Sequence, residues 1–183
     1  MSQIVLNTDR LPSGFWARLA SLPGVTTVFV GIVGLMMLLI AFGNMTDYGS
    51  NFAFVQHVLS MDTNFGEALM YRSINDEWLW HAFYIFLITL ESLAGIVLII
   101  GFFRLWGYVF GGTSHSQGAR LTASFGLLLC IIIFAGGFLV VGGEWFAMWQ
   151  GKWNGTDAAI RNTILASIPL ILLHLPSASW NKE

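Results

Sequence analysis

Charge is the scarcest commodity in this chain: 10% of its 183 residues are charged, against 56% hydrophobic. Soluble domains carry roughly 25% charged residues, so a surface this poor in charge could not be wetted on all sides. The net charge of -2 provides no basic field, which argues against nucleic acid as a partner. The single cysteine, Cys130, lies in an apolar run and can form no intrachain disulfide, so cysteine usage does not identify the compartment. There is no Walker sequence, Gly-x-Ser-x-Gly, His-Glu-x-x-His or Cys-x-x-Cys to suggest an enzyme. No helix carries a series of arginines, and the two halves show no matching broken helices, which weighs against a voltage sensor and a secondary transporter. Internal repeats and linker composition are also missing, so residues 1–183 read as one domain.

What the chain has in abundance is blocked apolar sequence, with a mean hydropathy of +0.71. A helix crosses the hydrocarbon core with about 20 apolar residues. Val25–Gly43, Trp78–Phe103 and Leu121–Val141 meet that length, and Ala158–Leu175 is a shorter fourth span. The expected fold is an all-α membrane protein, a four-helix bundle with short interfacial helices in its first long loop. The first span ends in Ala41-Phe42-Gly43, which resembles a signal-peptide cleavage site, but its apolar stretch exceeds the 7–15 residues of a signal core, so it reads as retained. Before it, Phe15, Trp16, Leu19 and Leu22 recur at helical spacing, an interfacial approach helix expected to end at Pro23-Gly24.

Arg10, Arg18, Arg104, Arg120 and Lys182 fall on one side of this layout; Arg72, Lys152 and Arg161 fall on the other. The excess assigns the first side, and both termini, to the cytoplasm. In the Asn44–Glu77 loop, Phe52, Val55, Val58 and Leu59 share a helical face after Ser50, the expected N-cap. Ser73 and Asp76 form a helix-start signal before Trp78. The loop after Arg104 carries His115 and no catalytic pattern.

The polar residues inside the spans carry the functional question. Glu91 lies 13 residues after Trp78, about 20 Å along the axis and so near the bilayer midplane. A charge there costs about 2.5–3.5 kcal/mol on insertion scales, so Glu91 must face protein or water. Two readings stay open: a proton relay, ion ligand or cofactor contact, or a packing hydrogen bond to Ser167 or Tyr84. His81, Tyr84, Ile88, Glu91 and Gly95 share one stripe of the second span, which should face the bundle. His81 reads as an interfacial hydrogen-bonding residue. A haem bridge from His81 to His174 is excluded by their difference in depth, whereas His57 with His81 stays open. Glu144 ends the third span and Arg161 begins the fourth, which predicts an ion pair. An outer-face pocket for a quinone or lipid headgroup, walled by Trp145 and Trp149 and contacted by Arg161, is the alternative. Gly31, Gly34 and Gly136-Gly137 are expected to be close-packing faces, and Pro169 to kink the fourth span.

Three segments, Asp47-Tyr48-Gly49-Ser50-Asn51-Phe52-Ala53-Phe54-Val55-Gln56-His57-Val58-Leu59-Ser60-Met61-Asp62-Thr63, Gly142-Gly143-Glu144-Trp145-Phe146-Ala147-Met148-Trp149-Gln150 and Trp153-Asn154-Gly155, carry a resemblance. With the four-span layout, they make the chain resemble a bacterial family of predicted small integral membrane proteins of unknown function. The resemblance implies a bacterial cytoplasmic membrane and a four-helix protein, and it brings no activity. The expected role is non-enzymatic: an accessory, assembly or scaffold component binding lipid, other membrane proteins or copies of itself. The alternatives are a redox anchor holding quinone or haem at the outer face through His57, His81, Glu144 and Trp145, and a proton or ion conductor through Glu91.

Overall fold

The computed structural model describes residues 11–112 and 116–180; Arg10, His115 and Lys182 lie outside the described residues. The approach helix α1 is short, Phe15–Leu19. It stops before Pro23 because Pro23 belongs to the next helix. Ser21 caps α2 (Leu22–Thr46), its hydroxyl accepting from the Gly24 N–H at 3.3 Å. Proline suits a first turn, where no intrahelical N–H is needed. After α3 (Tyr48–Ser60), the long helix α4 runs from Glu77 to Phe110. Its cap is Asp76, whose carboxylate accepts from the Trp78 N–H at 2.9 Å. Ser73 is extended and plays no capping part. The third long helix, α5, runs Ser116–Trp145, and α6 runs Thr156–His174, passing through Pro169 without ending.

α2, α4, α5 and α6 are long and apolar enough to cross a membrane. They pack in a ring in chain order, α2 on α4, α4 on α5, α5 on α6 and α6 back on α2. In such up-and-down order each long helix lies antiparallel beside the next. Three helices approach closely where Gly34, Leu98 and Gly126 meet: a Cβ on Gly34 would lie 3.0 Å from Leu98 Cβ. One turn along α4, a Cβ on Gly101 would lie 2.9 Å from the Ala123 backbone.

The end of the bundle bearing Arg18, Arg104 and Arg120 is closed. Arg18 donates to the Val109 carbonyl at 3.3 Å, and Arg120 donates to the Leu173 carbonyl. Both cations therefore sit at helix C-termini, where the backbone dipole favours positive charge. Trp180, 1% exposed, is tucked between Arg120 and Tyr108. Tyr108 donates to the Ser179 carbonyl at 2.8 Å, fixing this tail across the bundle.

The other end is capped. α3 turns back directly after α2, with Asp47 at its N-cap position and no capping hydrogen bond from a side chain. The expected cap Ser50 lies inside the helix. From α3 the chain reaches α4 through a short turn, Met70–Arg72, held by Ile74 N–H to the Leu59 carbonyl and Trp80 Nε1 to the Ile74 carbonyl. Leu59, Met61, Phe146 and Ala147 form a small second core under this cap. Arg72 ties it to α5, donating to the Glu144 and Trp145 carbonyls at 3.2 Å each.

The last stretch of α5, Ile132–Trp145, is wound as a π-helix. Such windings are rare, occur mostly as single-turn bulges and are frequent at functional sites. Here the wider winding places Ile132, Gly136, Val140 and Val141 along one wall of a cavity.

Candidate functional site

The stripe read from the sequence of α4 faces inward. Tyr84, Ile88, Glu91 and Gly95 are buried, and Glu91 is 2% exposed. The partner of Glu91 is neither Ser167 nor Tyr84, however. Ser167 is engaged with the Thr163 carbonyl of its own helix at 2.7 Å. Asn44, in the last turn of α2, donates its side-chain amide to Glu91 Oε2 at 2.7 Å. Tyr84 donates to the Asn44 backbone carbonyl at 3.0 Å, so it positions the partner rather than the acid.

That register also sets the depth of the acid. Glu91 is level with the last turn of α2 and seven residues along α4 from the Leu98 crossing. At helical rise this is about 10 Å toward the capped end.

Around Glu91 lies a cavity of about 280 Å³ into which Asn44, Asn51 and Asn162 also open, walled by rings that include Phe54, Tyr84, Phe134 and Phe138. The second oxygen of Glu91 takes no hydrogen bond from any described residue. No lysine or arginine lines the space.

A larger cavity of about 610 Å³ lies between α3, α4 and the π-wound part of α5. Every residue lining it is apolar or glycine. Phe83, Phe86, Ile132, Val140 and Val141 at its rim are exposed on the lipid-facing side of the helices, so it opens sideways between α4 and α5. Gly136 faces this space: a Cβ there would meet nothing within 4 Å. The Gly136-Gly137 pair is therefore not the close-packing face expected of it, whereas Gly31 and Gly34 are, against Phe102 and Leu98. Phe54, Val55, Leu87 and Phe138 line both cavities.

The remaining sequence candidates do not converge on one site. His81 accepts or shares a 2.7 Å hydrogen bond with Tyr48 and is stacked on Phe52 at 4.1 Å. His57 is paired with Asp62 at 2.8 Å and stacked on Trp153. Each of these histidines is thus committed to its own aromatic and polar partners, an arrangement unlike a haem-bridging pair. Glu144 and Arg161 form no ion pair; at the end of α5 it is Arg72 that binds, and through backbone carbonyls. Arg161 lies in the second turn of α6, away from the α5 terminus where Glu144 is exposed. Trp145 and Trp149 are half-exposed, Trp145 lying under the Arg72 guanidinium at 5.0 Å, and neither they nor Arg161 lines the two cavities.

The sequence reading missed three residues: Asn44, Asn51 and Asn162. Each is an amide at the edge of an apolar run, a signal that marks a buried polar group only once its helix phase is known. Among the described residues no group of three or more His, Cys, Asp or Glu could hold a metal ion.

Four apolar helices closing round one buried acid define a polytopic integral membrane protein. The family model described as "Predicted small integral membrane protein (DUF2165)" matches residues 24–176, and the chain belongs to that family of unknown function. No curated protein and no solved structure matches it.

Proposed function

We propose that this protein is a non-enzymatic accessory component of a bacterial cytoplasmic membrane, with both chain ends on the cytoplasmic side, that binds membrane lipid in its capped half. The observation carrying this reading is the wholly apolar, side-opening cavity between α3, α4 and α5. Its 610 Å³ falls within the roughly 300–1,000 Å³ of ordinary ligand pockets. An apolar void of that size facing lipid is an acyl-chain site, since water gains no hydrogen bonds there. Its occupant would let the protein present or sequester lipid for other membrane proteins, or for copies of itself.

A phosphatidylcholine carrying a photoactivatable diazirine in one acyl chain tests this in reconstituted membranes. Labelling is expected on α3 and on the Ile132–Trp145 stretch, and Gly136→Leu should reduce it several-fold by filling the void. Labelling spread evenly over all lipid-facing helices, and unchanged in Gly136→Leu, would defeat the reading.

Conduction through Glu91 is a second reading, favoured by the hydrogen bonds Tyr84 to Asn44 and Asn44 to Glu91 beneath the His81–Tyr48 pair. Beyond Glu91 that face of α4 continues with Gly95, Leu98 and Leu105, all buried and apolar, so a relay has no onward group. In proteoliposomes, Glu91→Gln should leave proton and sodium flux unchanged under the binding reading. Flux in the native protein that this substitution abolishes would establish conduction instead.

A further inference from the structure

The two cavities differ in chemistry yet share walls, and together they describe an amphipathic occupant. The larger is lined by apolar residues and glycine alone; the smaller, open to a similar degree, carries one carboxyl group and three carboxamides. They meet at Phe54, Leu87 and Phe138. We propose that they form one site for an isoprenoid quinone, its ring beside Glu91, Asn44 and Asn162 and its tail leaving between α4 and α5. This rests on the lipid-binding reading above and adds the identity of the ligand.

Three features select that class. No basic side chain lines either space, so a phosphate brought beside Glu91 would find no counter-charge, which disfavours every phospholipid head. The smaller cavity, at 280 Å³, is just below the roughly 300 Å³ at which ordinary small-molecule pockets begin. It admits a substituted six-membered ring. Its polar groups are also complementary to a quinone. The Asn162 amide offers N–H donors to a ring carbonyl, and the unpartnered oxygen of Glu91 accepts from the hydroxyl of the quinol form. That oxygen belongs to a side chain only 2% exposed, a polar atom left open inside the bundle.

The experiment uses the full chain in nanodiscs with two probes: an azido benzoquinone bearing a short isoprenoid tail, and the diazirine phosphatidylcholine. The quinone should label peptides from the Phe134–Phe138 region and from the start of α6, and unlabelled quinone should displace it. Glu91→Gln and Asn162→Leu should each weaken quinone labelling about tenfold, with phosphatidylcholine labelling unchanged as the control for folding. Gly136→Leu should reduce both. Phosphatidylcholine labelling without quinone labelling, or displacement of the quinone by diacylglycerol as readily as by quinone itself, overturns the quinone assignment and leaves the lipid reading intact. Quinone labelling indifferent to both polar variants overturns the placement of the ring. Absence of labelling by either probe removes this inference and the reading beneath it together.

Discussion

On one side of the Gly34–Leu98 crossing α4 and α5 touch, and on the other they part. In the closed half, Gly34, Gly101 and Gly126 each lie where a Cβ would press on a neighbouring helix at about 3 Å or less. In the capped half, Gly136 faces empty space, and α5 is wound wide. The same residue type thus brings backbones together at Gly34, Gly101 and Gly126 and lines a void at Gly136, although Gly95 on the capped side still packs on Leu38. Between helices in lipid, association rests on packing rather than on a hydrophobic driving force. The closed half can therefore supply the bundle's stability, while the capped half keeps room for a ligand. Arginines follow the same division. Arg18 and Arg120 fasten helix C-termini at the closed end, whereas Arg72 fastens a cap to a single helix end.

The largest effect expected from this contrast is at Trp180. Its side chain is buried, stacked near Tyr108 and covered by Arg120, and its backbone carbonyl accepts from the Ser116 hydroxyl. Trp180→Ala should cost about 3–5 kcal/mol, the range for removing a buried large aromatic, read as thermal unfolding in mild detergent. A loss below about 1 kcal/mol would show that the closed end is not where the bundle is held.

A glycine pair sharpens the comparison directly. Gly101→Leu drives a side chain into the backbone of Ala123 and should destabilise by about 1–3 kcal/mol. Gly136→Leu enters open space and should stay within about 0.5 kcal/mol while displacing whatever occupies the cavity. Equal losses at the two positions would erase the distinction between the halves.

How much of this was legible in the sequence depends on how local each signal is. Blocked apolar runs were enough to find α2, α4, α5 and α6, because span length is a local property. The inward stripe of α4 was legible for the same reason, from Tyr84 to Gly95. Helix starts were less so: Ser73 and Ser50 looked like caps, but Asp76 and Asp47 hold those positions, since several residues with short polar side chains compete within one turn. The partner of Glu91 was not legible. Asn44 looked like the first residue of a loop, and only the long-range register of α2 on α4 reveals that α2 continues past it. Glu144 and Arg161 looked like a pair because they flank one connection, yet they form no ion pair. Gly136-Gly137 carried an ambiguous sign, for a missing side chain permits close approach and empty space alike.

The smallest expected effect concerns the cap, and it tests whether the capped half is held by geometry or by charge. Arg72 donates through Nη1 to the Glu144 and Trp145 carbonyls and lies over the Trp145 ring, all at the end of the π-wound stretch. A planar guanidinium serves several acceptors while stacking on an aromatic face, which a lysine ammonium cannot reproduce. Because the site is near the surface, the global cost of Arg72→Ala should be modest, about 1 kcal/mol. Locally the change should be plain: amide hydrogen exchange at Phe146 and Trp149 should speed up, while Leu98 and Gly126 stay protected. Arg72→Lys should behave like Arg72→Ala if geometry holds the cap, and like the native protein if charge alone does. Exchange that rises equally at both ends of the bundle would mean that the two halves unfold as one unit, and the cap could not then open independently to admit a ligand.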